Sequence, residues 1–289
     1  MKRFLTLLLA LLMLLPLGAS AASPFIINKV TDPENDFAFP EDAKLLEIYI
    51  PKIFDAAAAF IRYGDYTMLF DSAGEHWQRT AEMLDMLGVS EMTYAFNSHP
   101  HTDHIVGFDE ILKTIPAKEF LLCFDEDYAQ SNKSAFRVYD ALHAMDVPFR
   151  RLYDGDTIEF GNVSMRVLQR TDNGLTGNNR SAMLMVELGQ RRFLFASDVQ
   201  MDAQRLYAKD GADIQTDILQ HPHHGYNQMQ RAFLAATEPE LVVITSLPGY
   251  AKSLDMLQPK KISYLHTHRG ILKMTTDGQV WLVERIITK

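Results

Sequence analysis

The chain has 289 residues and a formal net charge of −9 at pH 7, with 37 acidic against 28 basic side chains. That balance excludes the basic footprint needed for loose binding to nucleic acid or to an anionic membrane surface, so no stable nucleic-acid complex is expected. Cys123 is the only cysteine, which excludes an intramolecular disulfide and leaves stability to the core and to any bound metal.

The N-terminus reads as a secretory signal peptide over residues 1–21. Lys2 and Arg3 form a positive start, Phe4 to Leu17 an apolar run, and Ala19-Ser20-Ala21 a cleavage site. Loss of that segment removes Lys2 and Arg3 and takes the net charge from −9 to −11. No later stretch is long and apolar enough to span a bilayer. Residues 22–289 carry no Pro/Gly/Ser-rich linker, repeat or low-complexity tract, and are expected to form a single domain. The expected location is therefore beyond the cytoplasmic membrane: periplasmic, attached to the cell envelope or extracellular. Nothing in the sequence sets the oligomeric state.

Leu45 to Ile53, Ala57 to Tyr63 and Tyr66 to Phe70 read as strands, with Gly64-Asp65 as a hairpin turn. Trp77, Ala81, Leu84 and Leu87 recur at helical spacing within Glu75 to Leu87, and Gly88 ends the run. Met92 to Phe96 predicts a strand, and a helix is expected to run from the following motif to about Ile115. Phe120 to Phe124 is a further strand, placing Cys123 in the interior. An amphipathic helix follows over Asn132 to Met145, capped by Ser131 or Asn132. The middle of the chain turns to β-structure: Phe149 to Leu152, Thr157 to Phe160, Val163 to Gln169, and a hairpin of Ala182 to Leu188 with Arg192 to Ala196 around Gly189-Gln190. A helix to about Ala208, a strand over Asp217 to Gln220, a helix over Gln228 to Ala236 and a strand over Leu241 to Thr245 come next. Strands near Ile262 to Leu265, Ile271 to Met274 and Val280 to Ile286 close the chain. Two blocks of strands, each followed by helices, predict an α/β fold of two mixed sheets facing each other with helices outside.

The chemistry concentrates in His99-Pro100-His101-Thr102-Asp103-His104, directly after the predicted strand Met92 to Phe96. Three imidazoles and a carboxylate lie within six residues. Neutral imidazole nitrogens and carboxylate oxygens suit zinc, manganese or iron, and four such donors so close together can serve two adjacent ions. No G-x-S-x-G segment offers a competing serine nucleophile.

This His-x-His-x-Asp-His segment resembles the signature of the metallo-β-lactamase superfamily of metal-dependent hydrolases. The resemblance extends upstream to Phe60 through Gly74, which resembles the paired strands ending in Asp-x-Gly, and downstream to Phe195-Ala196-Ser197-Asp198, which resembles a strand ending in a metal-bridging aspartate. Asp217 through Gly225, with His223-His224-Gly225 at its end, resembles the His-His-Gly segment in the hydrolase domain of ComEC-type competence proteins. The resemblance implies a four-layer αββα sandwich of two mixed β-sheets and two divalent metal ions, zinc or manganese. By the same resemblance His99 and His101 would bind one ion, Asp103 and His104 the other, and Asp198 would bridge them. One of His223 and His224 would complete the second site, with His223 favoured. Asp103 and Asp198 would be the catalytic carboxylates, and Asp71 a supporting residue.

Many members of that superfamily supply a further histidine before the bridging aspartate, and none lies between His143 and Asp198 here. Asn178-Asn179-Arg180-Ser181 stands there instead, as in the ComEC-like pattern, which makes Asn178 and Ser181 candidates for contact with substrate or metal. The gap leaves filling of the first site open and favours an exchangeable metal such as manganese. His268 is a further candidate for contact with substrate or with a ligand, whereas His221 reads as a neighbour. The expectation is an exported hydrolase that uses a metal-bound hydroxide on a phosphodiester, either a nucleotide or a nucleic-acid-like substrate such as single-stranded DNA. The alternatives are a lactonase or β-lactamase acting at a carbonyl, and a non-catalytic binding protein on the same fold.

Overall fold

The computed structural model describes residues 25–248 and 252–287. The expected signal segment lies outside them. Among the described residues no helix is long and apolar enough to cross a membrane.

Among the described residues one sheet has nine strands. It takes β1 (Ile26–Asn28), β2 (Leu46–Ile50), β3 (Ala58–Tyr63), β4 (Tyr66–Ser72), β5 (Met92–Asn97), β6 (Ala117–Leu122) and β7 (Phe149–Arg151). The other has seven: β8 (Thr157–Ile158), β9 (Ser164–Gln169), β10 (Ala182–Leu188), β11 (Arg191–Phe195), β12 (Ile218–Gln220), β13 (Leu241–Ile244) and β14 (Ser263–His266). The last two strands, β15 (Ile271–Thr276) and β16 (Trp281–Ile286), return to the first sheet, whose order is β1-β16-β15-β2-β3-β4-β5-β6-β7. The second sheet runs β14-β13-β12-β11-β10-β9-β8. Both are mixed. Pairing is parallel from β4 to β7 and from β11 to β14, and antiparallel across β15-β2-β3-β4 and β9-β10-β11.

The period-two alternation of strands sorts side chains into layers. On β10, Ala182, Leu184 and Val186 face the space between the sheets, while Met183 and Met185 face the other way. On β4, Met68 and Phe70 face inward and Leu69 outward. Helices α1 (Trp77–Met86), α2 (Thr102–Ile105), α3 (Phe108–Ile111), α4 (Glu126–Ser131) and α5 (Lys133–Ala144) belong to the side of the first sheet, where Leu84, Phe108 and Val138 pack on Leu69 and Phe120. Helices α6 (Met201–Lys209), α7 (Arg231–Thr237) and α8 (Leu254–Leu257) cover the second sheet, with Tyr207, Phe233 and Leu257 packed against Met185 and Val242. The result is the expected αββα sandwich. Phe70 and Phe195 stack across its middle with ring centroids 4.6 Å apart, joining the two sheets just below the ends of β4 and β11.

Two local expectations change. The helix foreseen from the motif to Ile115 is two short helices, α2 and α3, broken at Gly107. That residue has φ +110°, and a Cβ there would come within 2.3 Å of Trp77 Cβ, so close packing against α1 outranks helical continuity. Cys123 is buried but lies just beyond β6. The short elements β1, α4 and α8 carry too few residues to show a period. Asn132 is the cap of α5, its Oδ1 accepting from the N–H groups of Ser134 and Ala135.

Gly74 seats the motif. It has φ +55°, and a Cβ would fall 2.5 Å from Asp103 Cα and 2.7 Å from Thr102 O. Gly64 shares that conformation, φ +57°, with nothing within 4 Å. Gly64→Ala should therefore cost only backbone strain, about 1–2 kcal/mol. Gly74→Ala should add about 1–3 kcal/mol of overpacking. Urea unfolding of the two variants checks this, and equal losses would show that Gly74 does not hold the loop.

Candidate metal centre

The site lies where parallel strands of both sheets end, the usual place for ligands in open α/β sheets. Asp71 comes from β4, Asn97 ends β5, and Ser98 and the motif follow it. Ser197 and Asp198 follow β11, and the His221–Gly225 turn follows β12.

Asp71 is fully buried and accepts four hydrogen bonds. Asn97 Nδ2 and Ser98 N donate to Oδ1, both at 2.9 Å. Ser98 Oγ and His104 Nδ1 donate to Oδ2, both at 2.7 Å. Because the Ser98 hydrogen is committed to Asp71, Ser98 Oγ accepts from Ser197 Oγ at 2.8 Å and from His99 Nδ1 at 3.1 Å. Both imidazoles thus carry hydrogen on Nδ1 and turn a bare Nε2 inward.

Those bare nitrogens face Asp198, which is 1% exposed. His104 Nε2 lies 3.1 Å and His224 Nε2 3.4 Å from Asp198 Oδ1. On the other side, His99 Nε2 lies 3.6 Å and His223 Nε2 3.8 Å from Oδ2. His224 is held by Thr245 Oγ1 at 2.8 Å from Nδ1 and by Asp103 Oδ2 at 3.0 Å from Nε2. Two groups of donors therefore have metal-binding spacing and share Asp198. One is His99, His101 and Asp198, and the other is Asp103, His104, Asp198 and His224.

The electrostatics follow from burial among charges. Burial works to raise Asp198, yet the imidazoles of His104 and His224 hold its pKa well below the ordinary carboxylate range. Burial opposes charge on His104, but the carboxylates of Asp198 and Asp71 outweigh it and raise its pKa well above the usual value, a pull on positive charge at Nε2 that a bound cation would answer in place of a proton. Desolvation keeps the His99 pKa well below normal. Asp103 is brought down to about 2, since the His224 hydrogen bond and the His104 charge overcome its burial.

The preference for His223 within the second group does not match this geometry: His224 occupies that place. His223 turns toward the opposite oxygen, and its Nδ1 lies 3.2 Å from Gln200 Nε2 and 3.0 Å from Asn227 Nδ2. Two amide donors on Nδ1 leave its hydrogen on Nε2, at the open side of the site. The remaining candidates sit around the two groups. Ala182 N donates to Ser98 O, so the Asn178–Ser181 segment runs alongside the motif. Asn178 Oδ1 and Ser181 Oγ are buried without a hydrogen-bond partner. His268 stands 5.6 Å from His266, whose Nδ1 donates to Ser246 O, and belongs to neither group. Buried His221 also stays outside, its Nδ1 donating to Pro222 O. Sequence reading passed over Ser98, Ser197, Thr245, Gln200 and Asn227. Only Ser98 and Ser197, each next to a candidate ligand, offered a signal.

The family model of the metallo-beta-lactamase superfamily matches residues 53–245, and the chain belongs to that superfamily. A ribonuclease Z from Archaeoglobus fulgidus is 31% identical over 110 residues, which cover 37% of this chain and 35% of that protein. The chain thus spans about a third of the length of this curated relative. Among solved structures, a CmlA beta-hydroxylase mutant is similar with a TM-score of 0.55 and 16% identity, over 83% of this chain and 54% of that one. A new diphosphatase from the PhnP family is similar with a TM-score of 0.51 and 12% identity, over 80% and 98% of the two chains. These two likenesses concern the fold.

Asp71→Asn keeps the shape but leaves one neutral acceptor oxygen, so that two of the four donors face an amide NH2. It should lower stability by about 1.5–3 kcal/mol in urea unfolding. A variant as stable as the parent would show that Asp71 does not organise the site.

Proposed function

We propose that the chain is a metal-dependent hydrolase of phosphodiesters that holds two divalent cations, zinc or manganese, around Asp198. One observation carries this reading. His99 Nε2, His104 Nε2 and Asp198 Oδ1 are buried with no hydrogen-bond partner, and they converge on one another. Buried polar atoms are normally satisfied, and bare imidazole nitrogens facing carboxylate oxygens fit cations between them. The first ion would be held by His99, His101 and Asp198, the second by Asp103, His104, His224 and Asp198. The first set is one side chain poorer, which supports manganese or another exchangeable ion there.

Bound cations would supply Lewis acidity, activating water near neutral pH and drawing charge from the oxygens of the ester. The protein's own groups do the rest. Asp71 turns the Nε2 atoms of His104, directly, and of His99, through Ser98, toward the site. Asp103, whose side chain is 39% exposed, stands at the opening and can orient attacking water. His223 Nε2–H faces the same space and can donate to a substrate oxygen, and burial lowers its pKa so that it is neutral at pH 7.

Cleavage at phosphorus is supported by two of the proteins this chain resembles, a ribonuclease Z and a diphosphatase. The His223-His224-Gly225 segment and the absence of a histidine between His143 and Asp198, both resembling the ComEC-type pattern, point the same way. The N-terminal pattern of residues 1–21 supports a place of work outside the cytoplasm, and residues 22–289 are read as one hydrolase domain.

Purified without chelators and supplied with manganese or zinc, the protein should bind about two ions per chain and hydrolyse bis(p-nitrophenyl) phosphate in preference to a chromogenic β-lactam or an aryl lactone. His101→Ala and Asp198→Ala should abolish that turnover while remaining folded by circular dichroism. Preferred lactone or β-lactam cleavage would move the reading to carbonyl chemistry. No bound metal would end it.

The two neighbouring histidines separate by metal content. His224→Ala should lose an ion, whereas His223→Ala should keep both and turn over more slowly by about 10²-fold, the low end for a positioned proton donor. Loss of metal from His223→Ala with retention in His224→Ala would reverse the two assignments.

A further inference from the structure

A cavity of about 350 Å³ opens directly beside His99 and His101. Its volume lies at the small end of the range for ligand pockets, about 300–1,000 Å³, suited to one small molecule and not to a duplex. Its walls differ in character from the metal-binding side. Arg180 lies on its rim at the end of the Gly177–Arg180 turn. It is exposed, and among the described residues no ion pair engages its guanidinium. In so acidic a chain, an uncompensated cation next to a hydrolytic centre fits an anionic substrate group.

The inner walls are aromatic and carry polar atoms without partners. Arg151 lies over the Tyr153 ring, 4.4 Å from its centroid, and pairs with Asp125 through Nη1. Its Nε is buried and has no hydrogen-bond partner. Gln169 is 5% exposed, and its Nε2 is used up in donating to Cys123 O at 2.6 Å and Arg180 O at 2.9 Å. Gln169 Oε1 is buried and unpartnered. The residues that line the cavity thus bring one buried acceptor and one buried donor without partners, the half-exposed rings of Tyr128 and Tyr153, and the exposed cation of Arg180. An aliphatic acyl chain would satisfy neither polar atom. A flat heterocycle with adjoining donor and acceptor positions satisfies both and stacks on the tyrosines.

Resting on the phosphodiesterase reading, we propose that this cavity is the specificity subsite and takes the base of a nucleotide ester. Gln169 Oε1 and Arg151 Nε read the edge of the base, Tyr153 stacks on its face, and Arg180 receives the phosphate on its way to the metal centre.

The test is calorimetric titration of the metal-loaded full chain with the four common nucleoside 5′-monophosphates, and with ribose 5-phosphate and inorganic phosphate as base-free probes. At least one nucleotide should bind about tenfold or more tighter than ribose 5-phosphate, the contribution expected of a stacked base. Tyr153→Ala should close most of that gap. Arg180→Ala should weaken nucleotide and ribose 5-phosphate alike, by about tenfold for a lost charge-assisted contact. Equal binding of nucleotides and ribose 5-phosphate, or an unchanged gap in Tyr153→Ala, would overturn the proposal. Turnover of bis(p-nitrophenyl) phosphate is measured on the same preparation. Turnover without nucleotide preference refutes the subsite alone. Nucleotide preference without turnover refutes the catalytic reading and leaves the subsite standing.

Discussion

The buried carboxylate of Asp71 is the constraint on which the site depends. It has no access to solvent, and each of its oxygens takes two hydrogen bonds. A buried carboxylate in an apolar fold is tolerated only when its lone pairs are used, and here the donors that use them are parts of the site itself. Through His104 directly and through Ser98 to His99, one carboxylate decides which nitrogen of two imidazoles is left bare. The backbone pays for this placement: Asp71 sits at φ +50° and Ala73 at +70°, just where β4 turns into α1. Such non-glycine positions are kept only where their surroundings over-determine them.

The sandwich supplies those surroundings. Phe70 precedes Asp71, Phe96 precedes Asn97, and Phe195 comes shortly before Ser197 and Asp198. Their rings stack on one another, Phe70 on Phe96 at 5.2 Å and on Phe195 at 4.6 Å. The floor of the site is therefore a stack of three rings that joins the two sheets. Polar side chains begin where the three strands end, so a small shift in the packing of the sheets would move Asp71 against Asp198. The Ser197 to Ser98 hydrogen bond, 2.8 Å, closes the same seam above the rings.

Much of this was legible in the sequence because its strongest parts are local. His99, His101, Asp103 and His104 come from a single turn, and the alternation of strands such as Ala182–Leu188 states which side chains face which layer. The helix break at Gly107 was not legible, since it depends on Trp77 from another element filling the space. The pocket was invisible for a related reason. Arg151, Gln169 and Arg180 come from three separate strand ends and loops, and no short pattern joins them. Asp198 and the two late histidines were found through resemblance, and their geometric roles needed the turn itself.

That turn explains why adjacent histidines do different things. His223 and His224 have φ of +49° and +57°, a left-handed pair that β-carbon-bearing residues adopt at a cost of roughly 1–3 kcal/mol each. In an extended segment, neighbouring side chains would point to opposite faces, and one histidine would leave the site. The left-handed bend instead keeps both imidazoles over Asp198, one toward each oxygen. Hydrogen bonds on both flanks secure it: His223 N donates to Ser197 O at 2.8 Å, and Ser246 N donates to His224 O at 3.0 Å. The strain thus places a second histidine on the side of Asp198 where the first donor group has only His99 and His101. With its Nδ1 taken by Gln200 and Asn227, that histidine brings a hydrogen to the site in place of a lone pair. The donor group with fewer side chains and the histidine proposed as proton donor consequently face the same oxygen of Asp198.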